Sequence, residues 1–157
     1  MIDNIDRQIV TLLQTDARLS NAALAEKVGL TTSTVHERVK KLEKRGIIKG
    51  YVAVADAEAL GKPMTAFIRL TVGADSTDYI ESKKSVLTVC RDEPDVLECH
   101  AVAGEDCYIL KVRAASPGDL ENLIERIRSN ARVSRTTTNI VFSTLKETTH
   151  VMPVRGN

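Results

Sequence analysis

Ser33, Thr34, His36 and Glu37 stand close together in the chain, and Lys40, Lys41 and Lys44 follow them. Hydroxyl, imidazole and carboxylate groups can meet the edges of bases, and a later row of ammonium groups can meet phosphates. That order suits hydrogen bonding to a DNA duplex better than the making or breaking of covalent bonds. It requires a helix. Val35, Val39 and Leu42 recur at i, i+4 and i+7 and give one narrow apolar stripe. At about 100° per residue, Ser33, Glu37, Lys40 and Lys44 fall opposite the stripe, flanked by His36 and Lys41. Thr31 is placed to cap the helix and Gly46 to close it in a left-handed conformation. Thr32 and Asn21 complete the candidate set. Arg38 lies nearer the core edge, where it either braces the helix or reaches a phosphate. An ordinary solvated helix can show the same charged face, so the neighbouring elements decide.

Those neighbours fit. Asp3 or Asn4 can cap a first helix that carries Ile5, Ile9, Leu12 and Leu13 at helical spacing. Ser20 caps a second, Asn21 to Val28, with Ala23, Leu24 and Val28 turned inward, and Gly29 ends it. The connection to the third helix is only a few residues long. This is the helix-turn-helix arrangement, in which the second helix of the pair reads DNA. Ile47 to Val54 is β-branched and bounded by glycines, which predicts a strand or short wing.

Charge is uneven along the chain. Residues 1–50 hold nine Lys/Arg against six Asp/Glu, so a basic first module is joined to a slightly acidic remainder within an overall net charge of +1. Hydrophobic residues make up 43% of the 157 residues, enough for a packed core, but aromatics are only 3%, so the core must be aliphatic and base stacking on aromatic platforms is not expected. Cys90, Cys99 and Cys107 form no CxxC pair. An odd count with an acidic, amphipathic start points to reduced thiols in a cytoplasmic protein without a secretory signal. No apolar run reaches membrane-spanning length.

The run Leu19-Ser20, Leu24-Ala25, Val28-Gly29-Leu30-Thr31, Val35, Arg38-Val39-Lys40-Lys41-Leu42-Glu43 and Gly46-Ile47-Ile48 resembles the N-terminal domain of the leucine-responsive regulatory protein (Lrp/AsnC, or feast/famine) family in order and spacing. The resemblance favours DNA binding over a merely solvated helix.

Residues 55–63 contain Gly and Pro and read as a hinge. Met64 to Val72 then predicts a strand. Asp75 can cap a helix running to about Arg91 with Tyr79, Ile80, Val86, Leu87 and Cys90 available for the core. Val96 to Ala103 and Cys107 to Ala114 form a hairpin about Gly104-Glu105-Asp106, in which Cys99 and Cys107 could face each other. Ser116-Pro117 opens a helix with Leu120, Leu123, Ile124 and Ile127 buried. Val133 to Leu145 is a long last strand, and the tail after Glu147 looks weakly ordered. The order β-α-β-β-α-β is the ferredoxin-like arrangement. One sheet face takes the helices. The other, expected to carry Val, Ile, Thr and Phe, should be buried against a second copy.

The fold class is therefore α+β. A winged helix-turn-helix occupies residues 1–50, a linker strand and hinge 51–63, a ferredoxin-like oligomerisation and effector sandwich 64–147, and a tail 148–157. The resemblance extends over nearly the whole chain and implies a C-terminal domain that dimerises through its sheet, with dimers commonly assembling into tetramers or octamers.

The turn about Gly104 admits two readings. It is a hairpin turn that needs glycine for its backbone angle, or a backbone cradle whose N–H groups meet a small carboxylate. The resemblance implies an amino-acid effector near this loop, placing Ala103, Gly104, Glu105, Asp106 and Tyr108 there, with Thr136 and Thr138 of the last strand offering hydroxyls. The family often has Asp where this chain has Cys107, and Asp106 stands one place earlier. No catalytic motif is present, and His36, His100 and His150 are too scattered to form a metal cluster, so no cofactor or metal is expected. The sequence thus points to a DNA-binding transcription regulator with double-stranded DNA, itself and a small amino acid as partners. The rivals are an effector-independent DNA-organising protein of the same fold and, against the basic first fifty residues, a small-molecule-sensing subunit of a metabolic enzyme.

Overall fold

The computed structural model describes residues 2–72, 76–104, 107–131 and 133–154, with the main chain alone at 76–79. The chain forms two compact units, residues 1–54 with 146–157, and residues 55–145.

The first unit contains α1 (Asn4–Thr15), α2 (Asn21–Val28) and α3 (Thr32–Lys44). Each helix starts on a side chain that accepts a backbone N–H. Asp3 caps α1 and forms a reciprocal capping box with Asp6, Ser20 caps α2, and Thr31 caps α3. Gly29 lies at φ 69°, the left-handed angle that ends α2 and turns the chain into α3 within three residues. Gly46 does the same for α3 at φ 66°, where Gly46 N donates to Glu43 O at 2.8 Å and Ile47 N to Leu42 O at 2.9 Å. Ile9, Leu13, Leu24, Ala25, Val28, Val35 and Leu42 form the core, in which Ala25 takes the inward position expected of Ala23.

The expected wing is not a strand. Ile47 and Ile48 are drawn onto the helical core by the glycine cap, and Val52 and Val54 are exposed with no strand to pair with among the described residues. An extended segment becomes a strand only when a neighbour takes its N–H and C=O groups. Tyr51 is instead held to α3 by its hydroxyl, which donates to Glu43 Oε1 at 2.9 Å.

The second unit contains β1 (Met64–Val72), α4 (Ser76–Asp92), β2 (Val96–Ala101), β3 (Tyr108–Ala114), α5 (Pro117–Asn130) and β4 (Val133–Ile140). The four strands form an antiparallel sheet in the order β2-β3-β1-β4. Ala66, Ile68, Leu70 and Val72 of β1 and Tyr108, Leu110, Val112 and Ala114 of β3 alternate onto one face, where Val86 and Val89 of α4 and Leu120, Leu123 and Ile127 of α5 cover them.

Three expectations change here. Ile80 and Leu87 are 59% and 56% exposed, because α4 buries Ser82, Val86 and Val89 on the stripe roughly opposite them. The positions of Asp75 and of the Tyr79 side chain lie outside the described residues. The last strand stops at Ile140 rather than Leu145. Its one sheet neighbour, β1, begins at Met64 after Pro63, and the final bond runs from Val141 N to Thr65 O. Phe142 and Leu145 are consequently fully exposed. Finally, the register places Thr65, Phe67, Arg69 and Thr71 on the uncovered face with Ile109, Lys111, Arg113, Arg135 and Thr137. That face carries Phe, Ile and Thr as expected, but the valines point to the helices and four cations take their place.

Candidate functional site

Thr32, Ser33, Thr34, His36, Glu37, Lys40, Lys41 and Lys44 are all exposed, while Val35 and Leu42 of the same helix are buried. The capping hydroxyl of Thr31 organises the first turn: it accepts Thr34 N–H at 3.3 Å and lies 2.8 Å from Thr34 Oγ1 and 3.1 Å from Ser33 Oγ. Asn21, half-buried at the start of α2, lies 3.1 Å from His36 Nδ1, so both helices of the pair present their amide and imidazole together. Lys40, Lys41 and Lys44 continue the exposed face towards the C-terminus of α3, where cations also suit the helix dipole.

Arg38 is the exception. Its guanidinium donates to Asp3 at 2.6 Å and to Asp6 at 2.7 Å, and of the two roles open to it the structure shows the brace. The same two carboxylates form the capping box of α1, so one network ties the start of the first helix to the middle of the third. Asp3 is held below the ordinary carboxylate range, first by the backbone N–H of Asp6 and next by Arg38. Neither Asp3 nor Asp6 belongs to the set of residues expected at the site. The Asp-x-x-Asp spacing before an apolar run signals the box, but nothing local signals its cation. Behind the same helix, Tyr51 is pushed up to about 12 by burial first and by Glu43 second.

In the second unit, Val102 N donates to Cys107 O at 3.0 Å and closes the hairpin loop, and Cys107 N donates to Leu70 O at 2.9 Å. Cys99 pairs with Leu110 in register, so Cys99 and Cys107 do not face each other across the hairpin. Cys99 lies instead beside Cys90, whose thiol it pushes up, with burial adding to the effect. Gly104 has φ 133°, an angle L side chains rarely adopt, and among the described residues nothing stands within 4 Å of where a Cβ would be. Glu105 and Asp106 lie outside the described residues. Tyr108 and Thr136 both sit directly across from Leu70, one on each side, and Thr138 sits across from Ile68. All three therefore share the helix-covered face. Tyr108 is 4% exposed and belongs to the core, and the Thr136 hydroxyl is buried without a hydrogen-bond partner among the described residues. The structure thus brings the loop base, Tyr108 and Thr136 to one end of the sheet, with Thr138 one pair further along and Ala103 exposed in the loop. Among the described residues no group of His, Cys, Asp and Glu could hold a metal, and no helix is long and apolar enough to cross a membrane.

Residues 2–43 match the AsnC-type helix-turn-helix domain, and residues 65–151 match the Lrp/AsnC ligand binding domain. The chain belongs to the Lrp/AsnC family. This Lrp/AsnC protein is 38% identical over 144 residues to the HTH-type transcriptional regulator LrpA of Mycobacterium tuberculosis, covering 91% of each chain. Its structure is similar to that of the transcriptional regulator NMB0573 of Neisseria meningitidis in complex with L-Met, with a TM-score of 0.88 at 28% identity over 96% of each chain. It is similar too to the feast or famine regulatory protein Rv3291c of M. tuberculosis complexed with L-methionine, with a TM-score of 0.87 at 36% identity over 98% of this chain and 100% of that one. The Lrp/AsnC chain is a helix-turn-helix transcriptional regulator, and its α3 is the second helix of the pair.

Proposed function

We propose that the protein regulates transcription in the cytoplasm as a homo-oligomer that places the α3 helices of two protomers in successive major grooves, about 34 Å apart. The observation that carries this reading is the exposed hydroxyl-to-lysine face of α3, held at a fixed angle by Arg38. Ser33, Thr34, His36 and Glu37, with Asn21 and Thr32 beside them, meet base edges, and Lys40, Lys41 and Lys44 meet phosphates. Two copies join through the uncovered sheet face about Phe67 and Ile109, and dimers assemble further into tetramers or octamers.

A small amino acid binds at the Gly104 loop and shifts that assembly, which changes how many half-sites one particle engages. Support comes from the match to a ligand binding domain, from the methionine bound to two structural neighbours, and, among the described residues, from the open space at Gly104 and the Thr136 hydroxyl without a hydrogen-bond partner. Thr136 and Thr138 offer hydroxyls, and Ala103 to Asp106 offer backbone N–H groups. One observation favours the effector-independent reading: Tyr108 is packed into the core rather than presented to a ligand. A thermal-shift screen against the twenty amino acids separates the two. A binder raises the melting temperature by mass action, and the absence of any shift selects the effector-independent DNA-organising protein.

A further inference from the structure

The chain leaves the helix-turn-helix unit at Val54 and comes back to it at Lys146. Within the returning segment, Val151 is held by one side chain. Gln14, on the last turn of α1, donates from Nε2 to Val151 O at 3.0 Å and accepts Val151 N at 2.7 Å on Oε1. Both polar groups of one extended residue are thus taken by a single amide, the two-point pairing that a neighbouring strand would supply. Gln14 stands on the outer stripe of α1 with Arg7 and Thr11, turned away from the buried Ile9 and Leu13. Beyond Val151 the segment forms one wall of a cleft of about 690 Å³, with Met152 and Val154 opposite Arg7, Thr11 and Leu12. Val151, Met152 and Val154 remain largely exposed, so hydrogen bonds rather than burial hold the segment down. A contact of that kind is specific and readily released.

We propose that the outer face of α1 is a docking surface for an extended peptide, that Gln14 is the residue that reads it, and that its occupant is the chain's own 146–154 segment. Docked, the segment is a strap. The two units are then joined by two crossings of the chain instead of the 51–63 linker alone, and α3 has a narrower range of positions from which to meet DNA. The surface is separate from the reading face, because the segment is held on α1 and its cleft is lined by α1 and by Lys27 of α2, while the reading face of α3 is exposed. The consequence for DNA rests on the proposed role of α3, whereas the docking itself does not.

The test is amide hydrogen exchange on the full chain, compared with Gln14→Ala and with Val151→Pro, which removes the donated N–H without touching α1. In the intact chain the Val151 amide should exchange about five- to tenfold more slowly than in Gln14→Ala, while α1–α3 melt unchanged in both variants. Equal exchange of Val151 in the intact and Gln14→Ala chains overturns the docking. In parallel, the affinities for duplexes with half-sites about 10 and about 15 base pairs apart are compared. Both variants should lower the intact chain's preference between them at least threefold. Release of the segment with that preference unchanged overturns the strap, and failure of the intact chain to bind either duplex counts against the DNA reading alone.

Discussion

Replacing Arg38 with Met keeps the aliphatic stem and removes the guanidinium that joins α3 to the start of α1. The cost follows from the exposure of the two carboxylates. Asp6, with a side chain 13% exposed, loses a charge-assisted bond of 2.7 Å and is left buried without its cation, which costs about 1.5–3 kcal/mol. Asp3, with a side chain 53% exposed, is screened by water and contributes at most about 1 kcal/mol. The sum of about 2–4 kcal/mol should lower the melting temperature of the helix-turn-helix unit by roughly 8–32 °C, at about 4–8 °C per kcal/mol for a unit of this size. Urea and thermal unfolding followed by circular dichroism measure it. Asp6→Asn and the double variant complete a cycle whose coupling energy should be about 1.5–2 kcal/mol. A DNA titration in increasing salt gives the second arm. A brace leaves the salt slope of the folded variant unchanged, whereas removing a cation that neutralises a phosphate shallows it by about 0.9. A destabilisation below about 0.5 kcal/mol with no coupling to Asp6, or a shallower slope at full stability, would refute the bracing role.

Lys40→Ala with Lys44→Ala should show the opposite pattern, with unchanged unfolding and a salt slope shallower by about 0.9 for each phosphate that is no longer neutralised. Thr136→Val keeps the side-chain volume and removes a buried hydroxyl that has no partner among the described residues; unfolding should show stability unchanged or raised, while any amino-acid-induced thermal shift should fall. Asp3 has a folded pKa below its unfolded one, so the stability it contributes is complete above the unfolded value near 4 and is lost as pH falls through the lower folded value. The stability of Asp3→Asn and of the unaltered chain should therefore converge at low pH and differ by a constant amount above about pH 4. Tyr51 has a raised pKa of about 12, so its phenol should ionise above the ordinary tyrosine range in an ultraviolet titration, and the stability it contributes, complete below the unfolded value near 10, should be lost as pH rises through about 12.

What was legible in the sequence was mostly local. Asp3, Ser20, Thr31 and Ser116 announce their helices because a cap needs only a side-chain oxygen and an N–H two or three residues away. Gly29 and Gly46 mark the ends for an equally local reason, their left-handed backbone. The elements that changed depend on distant partners. The 47–54 segment has strand-forming residues but no neighbour to pair with among the described residues, and the end of β4 is set by where β1 begins, about seventy residues earlier in the chain. The face of α4 was ambiguous because Ile80 and Leu87 make an apolar stripe as regular as that of Val86 and Val89, and only the sheet beneath selects one. The exposed face of α3 was readable from periodicity, yet the target of Arg38 lies more than thirty residues away. Likewise, period-two spacing placed Thr136 and Thr138 together, but only their register with Leu70 and Ile68 says which face they occupy.

The central claim is that paired α3 helices read sequence, and selection of the full chain against a randomised duplex pool addresses it most directly. The recovered duplexes should share two related half-sites about 10–10.5 base pairs apart, or a multiple of that spacing. Alanine at His36 and Glu37 should relax the preference within each half-site, and alanine at Lys40 and Lys44 should weaken all duplexes alike. A recovered pool with no shared half-site, bound equally well by the His36 and Glu37 variants, would contradict the account.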